Sequence, residues 1–220
     1  MGLPRSFAQL KTDILDKAKQ IQTCDDYHKV SLASNYGQLI DAGLSSLIWS
    51  YQSGLIDDFT LTDIPVADLK VKGIYNSGTA TLNNPAIPIY IMPYTTVEVF
   101  MFGSHRQDFY CLGGTLKMNI LNNTQAEITA YNDAQVNLNI TNSGIGCITL
   151  KDEAKLMGTV SNNGVVTIEG RGDSQTTLTA NNTAHLNLYG WLHAVLKYKL
   201  TGAATVSMHQ NHESRIEVFS

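Results

Sequence analysis

From Gly114 onward the chain repeats every ten residues, through eleven copies and without an insertion. Apolar residues recur at three positions of each copy. The first row runs Leu116, Ala126, Val136, Gly146, Leu156, Val166, Thr176, Leu186, Leu196, Val206, Ile216. Two residues on, the second runs Met118, Ile128, Leu138, Ile148, Gly158, Ile168, Leu178, Leu188, Tyr198, Met208, Val218. The third includes Ile120, Ile140, Leu150, Val160 and Leu200. The residues between are mostly polar, as at Lys117, Asn119, Glu127, Thr129, Asn137 and Asn139. Alternation with period two over about six residues describes a half-buried strand.

Each copy also carries its own turn. Pairs such as Asn122–Asn123, Asn132–Asp133, Asn162–Asn163, Gly172–Asp173 and Asn181–Asn182 precede a position that is always small, from Gly114 through Ala154 to Ser214. Asn, Asp and Gly tolerate left-handed backbone, and a small side chain lets the bend pack against a neighbouring strand. Ten residues per strand and turn fit either an antiparallel meander or a two-strand coil with about twenty residues per rung. Copies alternate in size: Ile120, Ile140 and Val160 end the odd ones, while Ala130 and Gly170 end even ones, with Leu150 the exception. A coil with two unequal faces produces that alternation. It also closes on its own core, whereas a single-layer meander leaves its apolar face bare. The sequence therefore favours a mainly β chain, a parallel β-solenoid, with about five rungs spanning ~25 Å over residues 114–220.

The residues before the repeat have a different texture. Residues 1–54 read as a short helical region. Ser6 and Gln9 have capping-box spacing, and Phe7, Leu10, Ile14, Ala18 and Ile21 follow at helical intervals. Asp25–Asp26 reads as a break. A second helix would carry Tyr36, Leu39, Ile40, Leu44, Leu47, Ile48 and Tyr51 on one face, with Gly54 as its cap. This region is expected to cap the coil or to anchor it in an assembly. Residues 55–113 read as irregular and β-rich, with apolar alternation at Val97, Val99 and Met101 and with Pro85, Pro88 and Pro93 marking bends or edges. They would form either imperfect early rungs or a separate small β-layer.

Charge and cysteine usage narrow the function classes. The net charge is −4, with both signs scattered. Lys197 and Lys199 are too few for a phosphate-binding face, so no nucleic-acid partner is expected. No apolar run is long enough to span a membrane. The opening MGLPRSFAQLKTDILDKAK has no apolar core of a secretory signal. Three widely spaced cysteines, Cys24, Cys111 and Cys147, fit free thiols in a reducing compartment.

Chemistry-bearing residues are sparse. His209 and His212 have ligand-like spacing but only Glu213 beside them. Asp57, Asp58, Asp63 and Asp68 lack the spacing of a calcium loop. Arg171–Gly172–Asp173 occupies an ordinary turn slot. The outward rows offer no nucleophile, base and orienter in sequence positions that would converge, so neither catalysis nor a cofactor is expected. The turn at Trp191–Leu192–His193, after Tyr189, breaks the Asn-rich pattern with large apolar residues. Such residues in a solvated turn mark a contact, either with the protein's own irregular segment or with a partner. Tyr189, Trp191 and Leu192, with Phe219 near the last strand, are the candidate partner-binding residues. The final copy, Ile216–Val218, is protected only by Phe219, Arg215 and Glu217, so an oligomer or bound subunit is expected.

In its order of parts, a helical start, an irregular β segment and an Asn- and Thr-rich β-solenoid, the chain resembles bacteriophage virion structural proteins of the tail-fibre, tail-spike or head-decoration type. That resemblance implies a non-enzymatic virion subunit, made in the host cytoplasm and partnered by other virion or assembly subunits in a homo- or hetero-oligomer. Two further possibilities are a carbohydrate-binding tip that stacks a glycan on Tyr189 and Trp191, and a polymer resembling the bactofilin cytoskeletal proteins.

Overall fold

A computed structural model describes residues 5–21, 24–43 and 47–219. The chain divides into two compact units, Met1–Asn76 and Ser77–Ser220.

The first unit is helical: α1 (Phe7–Ile21), α2 (Cys24–Leu32), α3 (Tyr36–Gly43), α4 (Leu47–Gln52), α5 (Asp58–Thr62) and α6 (Val66–Val71), then a two-residue strand β1 (Ile74–Tyr75). The capping box opens α1: Ser6 N donates to Gln9 Oε1 at 2.9 Å, and Gln9 N donates to Ser6 Oγ at 3.4 Å. Leu10, Ile14 and Ala18 form its buried stripe. Lys11 donates to the carbonyls of Ser31 and Ala33, both at 2.7 Å, and so satisfies carbonyls at the end of α2.

Two expectations change in this unit. Asp25 and Asp26 fall in the first turn of α2 rather than in a break; acidic residues suit a helix start as well as a loop. The expected second helix is two pieces, α3 and α4. Leu44, assigned to its face, lies outside the described residues. Gly54, at φ +74°, follows α4 as a left-handed cap, and its N–H donates to the carbonyl of Tyr51.

Residues 55–71, read as part of an irregular β segment, contain α5 and α6. Asp57 caps α5 by accepting from the N–H and hydroxyl of Thr60 at 2.7 Å, and it pairs with Lys17 at 2.6 Å. Burial alone would raise its pKa, but these bonds outweigh that and hold the carboxyl at about 2. Asp63 binds Arg5. Those acidic residues thus serve helix ends and ion pairs.

The second unit is a parallel β-solenoid of about seven turns, with about twenty residues per turn. Its strands are β2 (Gly78–Asn83), β3 (Ile89–Ile91), β4 (Thr95–Met101), β5 (Arg106–Cys111), β6 (Thr115–Leu121), β7 (Gln125–Ala130), β8 (Gln135–Thr141), β9 (Ile145–Leu150), β10 (Lys155–Val160), β11 (Val165–Gly170), β12 (Gln175–Ala180), β13 (His185–Gly190), β14 (Val195–Leu200), β15 (Thr205–Gln210) and β16 (Arg215–Val218). Even-numbered strands β2 to β16 build one sheet and odd-numbered strands β3 to β15 the other. Strands β2 to β14 each pair in parallel with the strand after next, as Leu138 with Gly158 and Ile148 with Ile168. The coil, not the meander, is the fold.

Strands β2 to β5 belong to the same two sheets, so residues 78–111 are early turns of the coil. The three apolar rows face inward and fill the space between the sheets. Ile120, Ala130, Ile140, Leu150, Val160 and Ala180 are fully buried in the third row alone.

The turns explain the Asn-rich slots. In every turn from Asn122 to His212, the position ending in 2 takes a positive φ, between +51° and +69°. The small residue two places on donates its N–H across the bend, as from Ala134 to Tyr131 O at 3.2 Å. Along one corner the amides form a ladder: Asn162 Nδ2 donates to Asn142 Oδ1 at 2.8 Å, and Asn182 Nδ2 to Asn162 Oδ1 at 2.9 Å. Each Asn therefore supplies both a left-handed backbone and a bond to the next turn.

Candidate assembly interface

The bends after β11, β13 and β15 stack on one another at the C-terminal end of the coil. They place Arg171, Trp191 and Asn211 in one column, Gly172, Leu192 and His212 in the next, and Asp173, His193 and Glu213 in a third. The Trp191 ring lies 6.3 Å from the ring of His209 and 6.4 Å from that of His212, and Tyr189 lies 6.1 Å from His209. Arg171, Trp191, Leu192 and His212 line a notch of about 270 Å³. Trp191 Nε1 is buried without a hydrogen-bond partner.

The structure thus brings Tyr189, Trp191 and Leu192 together, 39 % of Tyr189 and 49 % of Leu192 remaining exposed. Phe219 is half-buried just beyond the far end of β16, away from this corner, and donates its N–H to Tyr198 O at 3.0 Å. Sequence reading missed the partners of Trp191, which are the histidines of the following turn. The spacing His209-x-x-His212 is the available signal, but in sequence it reads as a weak metal pair or as solvated polar residues, not as ring partners of Trp191. Among the described residues no group of three or more His, Cys, Asp or Glu is placed to hold a metal ion.

Polar groups frame the notch. Arg171 is held by Glu169 at 2.6 Å, and His193 sits between Asp173 at 3.4 Å and Glu213 at 3.2 Å. The arrangement offers apolar contact area with charges at its rim. Elsewhere on the coil, burial pushes the Cys111 thiol up to about 12 and raises that of the half-buried Cys147. Both remain protonated thiols at neutral pH.

Leu192 occupies the left-handed position at φ +58°, where its column otherwise holds Asn, Asp, Gly or His. A side chain with a Cβ costs about 1–2 kcal/mol in that conformation. Leu192→Asn is therefore expected to stabilise the coil by about 1 kcal/mol in denaturant titration, because its amide bonds the local backbone and offsets the Cβ cost, while Leu192→Ala keeps the Cβ without that bond and brings no gain. A net loss for Leu192→Asn would mean that the leucine side chain supports the fold itself.

The second feature is the last described turn of the coil. Strands β15 and β16 stand last in their sheets. Met208 and Val218 continue the inward rows, yet they are 54 % and 68 % exposed. One turn earlier their equivalents Leu188 and Tyr198 are buried. Val206 and Ile216 are likewise half-exposed, against buried Leu186 and Leu196. Core-facing residues here meet no further turn among the described residues.

None of the family models, curated proteins or solved structures compared with this chain matches it.

Proposed function

We propose that this protein is a non-enzymatic structural component of a larger assembly, in the first place a subunit of a phage particle made in the host cytoplasm. The observation that carries the reading is the apolar corner on an otherwise polar column of turns, where Tyr189, Trp191 and Leu192 come together with Tyr189 and Leu192 exposed. Large apolar residues in a solvated turn ordinarily mark a contact. A repeat that runs from Gly114 onward without inserted loops further supports a stiff spacer or docking rod over a scaffold for catalysis. The helical unit would supply the attachment.

Quantitative mass spectrometry of density-purified particles from cells carrying the gene tests the reading. Peptides of this chain are expected at a fixed stoichiometry to the other particle proteins, and their absence from the particles would overturn it. A carbohydrate-binding tip is the second reading. The notch beside Tyr189 and Trp191 favours it, and a glycan array with Trp191→Ala as the control separates it from a purely structural role.

A further inference from the structure

We infer that the corner at Leu192 docks a basic polypeptide segment, which seats one large apolar side chain in the notch and sets lysines or arginines against the carboxylates beside it. This rests on the assembly reading above and names the chemistry of the partner.

The inference starts from a charge asymmetry between the two corners of the coil. The bends that follow β6, β8, β10, β12 and β14 contain no charged residue and are built of Asn, Ser, Thr, Gly and Ala. The bends that follow β7, β9, β11, β13 and β15 carry five carboxylates, Asp133, Asp152, Glu153, Asp173 and Glu213, against two permanent cations, Lys151 and Arg171. Both cations are already engaged. Lys151 Nζ lies 4.8 Å from the centre of the Tyr131 ring, and Arg171 donates from Nε and Nη2 to Glu169 Oε1 at 3.0 and 2.6 Å. Asp133, Glu153, Asp173 and Glu213 stack in one column, with His193 among them. That imidazole faces both Asp173 and Glu213, whose side chains remain 71 % and 82 % exposed. One imidazole carries at most one positive charge, so this corner keeps a surplus of negative charge.

The apolar notch adjoins that surplus. Arg171 bounds it on one side and His212 on the other, so described turns flank Leu192 on both sides. Its volume of about 270 Å³ has room for one large side chain. The free surface within it is aliphatic. Leu192 is 49 % exposed, whereas the indole of Trp191 is half-buried against the imidazoles of His209 and His212. An apolar side chain matches that surface better than a sugar ring does. Leu192 is also kept at φ +58°, against the preference of its backbone position. A residue that is strained and exposed at once points to a contact outside the fold. An apolar anchor ringed by charges of one sign selects a partner of the opposite sign.

The test is selection of a ribosome-displayed library of random peptides against the whole chain. Recovered peptides are expected to carry a large apolar residue flanked by lysine or arginine. The tightest of them, made with a fluorescent label, is then titrated by anisotropy. Leu192→Asn should weaken it about tenfold or more. Asp173→Asn with Glu213→Gln should weaken it to a similar degree and flatten its salt dependence. Circular dichroism melts confirm that each variant folds. Recovery of acidic or uncharged peptides, no enrichment at all, or binding that survives Leu192→Asn would each overturn the docking site. A glycan-array signal lost in Trp191→Ala, with no peptide enriched, would assign the corner to a saccharide instead. A failed selection with the chain still present in purified particles leaves the assembly reading standing with a contact of another kind. Basic peptides bound by a chain absent from those particles keep the docking site and remove the particle.

Discussion

Ile148→Ala is expected to destabilise the coil by about 2–5 kcal/mol, and Leu138→Ala to fall toward the lower end of the same range. Ile148 lies in a column with Ile128 above and Ile168 below, all three buried between the sheets. Each neighbour is fixed by its own strand pairing, so the cavity has little means to collapse. The cost is then the lost transfer energy plus the void. Leu138 has a different neighbourhood. It faces Gly158 on the next strand and lies beneath a surface dent lined by Asn119, Asn137 and Met157. Some of the space left by its truncation is already open, which lowers the penalty. Asn139→Ala and Thr149→Ala, one residue along, replace outward side chains and should cost about 0.5 kcal/mol or less. Asn139 loses only a 3.3 Å bond to Asn119. Urea titrations of the four variants check this. Equal shifts in midpoint for inward and outward residues would show that the rows do not carry the stability of the coil.

The repeat was legible because three independent signals share one period: inward rows, a left-handed turn position and a small residue after it. Together they determine strand spacing, turn chemistry and, through the alternation of large and small copies, the parallel coil. The first turns were not legible for a physical reason. Thr96 pairs with Thr115 and Gly78 with Thr95, so these turns are shorter than twenty residues. One missing residue inverts the parity of the inward row, which runs Val97, Val99, Met101 before it runs Leu116, Met118, Ile120. A search keyed to a constant period loses the signal there. The short helices α5 and α6 were hidden by the aspartates around them, since Asp57 reads equally as a loop residue or a cap. Tyr189, Trp191 and Leu192 stood out because they violate the turn chemistry of their own column. Arg171 and His212, which complete the corner, follow the ordinary polarity of turns and carry no such mark. Phe219 was grouped with them only by its place in an apolar end, and strand geometry separates it.

Gly114→Ala is expected to cost about 3 kcal/mol, against a nearly neutral Gly164→Ala in the same column of the repeat. By sequence the two positions are equivalent, and Ala already occupies that slot at 134, 154, 184, 194 and 204. Neither glycine has a positive φ, so replacement should by itself stabilise by about 0.4–1 kcal/mol through the unfolded chain. Their surroundings decide otherwise. A Cβ on Gly114 would lie 2.4 Å from Met92 O, 2.7 Å from Ile91 Cγ2 and 2.9 Å from Thr95 O. Two of those atoms are backbone oxygens, which no rotamer change can move. The bend between β3 and β4 passes directly against Gly114, in the region where the coil is not yet of constant length. At Gly164 the nearest atoms stand at 3.0 Å, and two of the three nearest are methyl groups of Ile140 and Val160 that can yield by a few tenths of an ångström. Thermal and denaturant unfolding of the two variants, side by side, measures the difference. Matching stabilities would mean that the early turns relax as readily as the later ones. A large loss confined to Gly114→Ala would place a backbone contact too tight for a Cβ at the junction between the irregular and the regular turns of the coil.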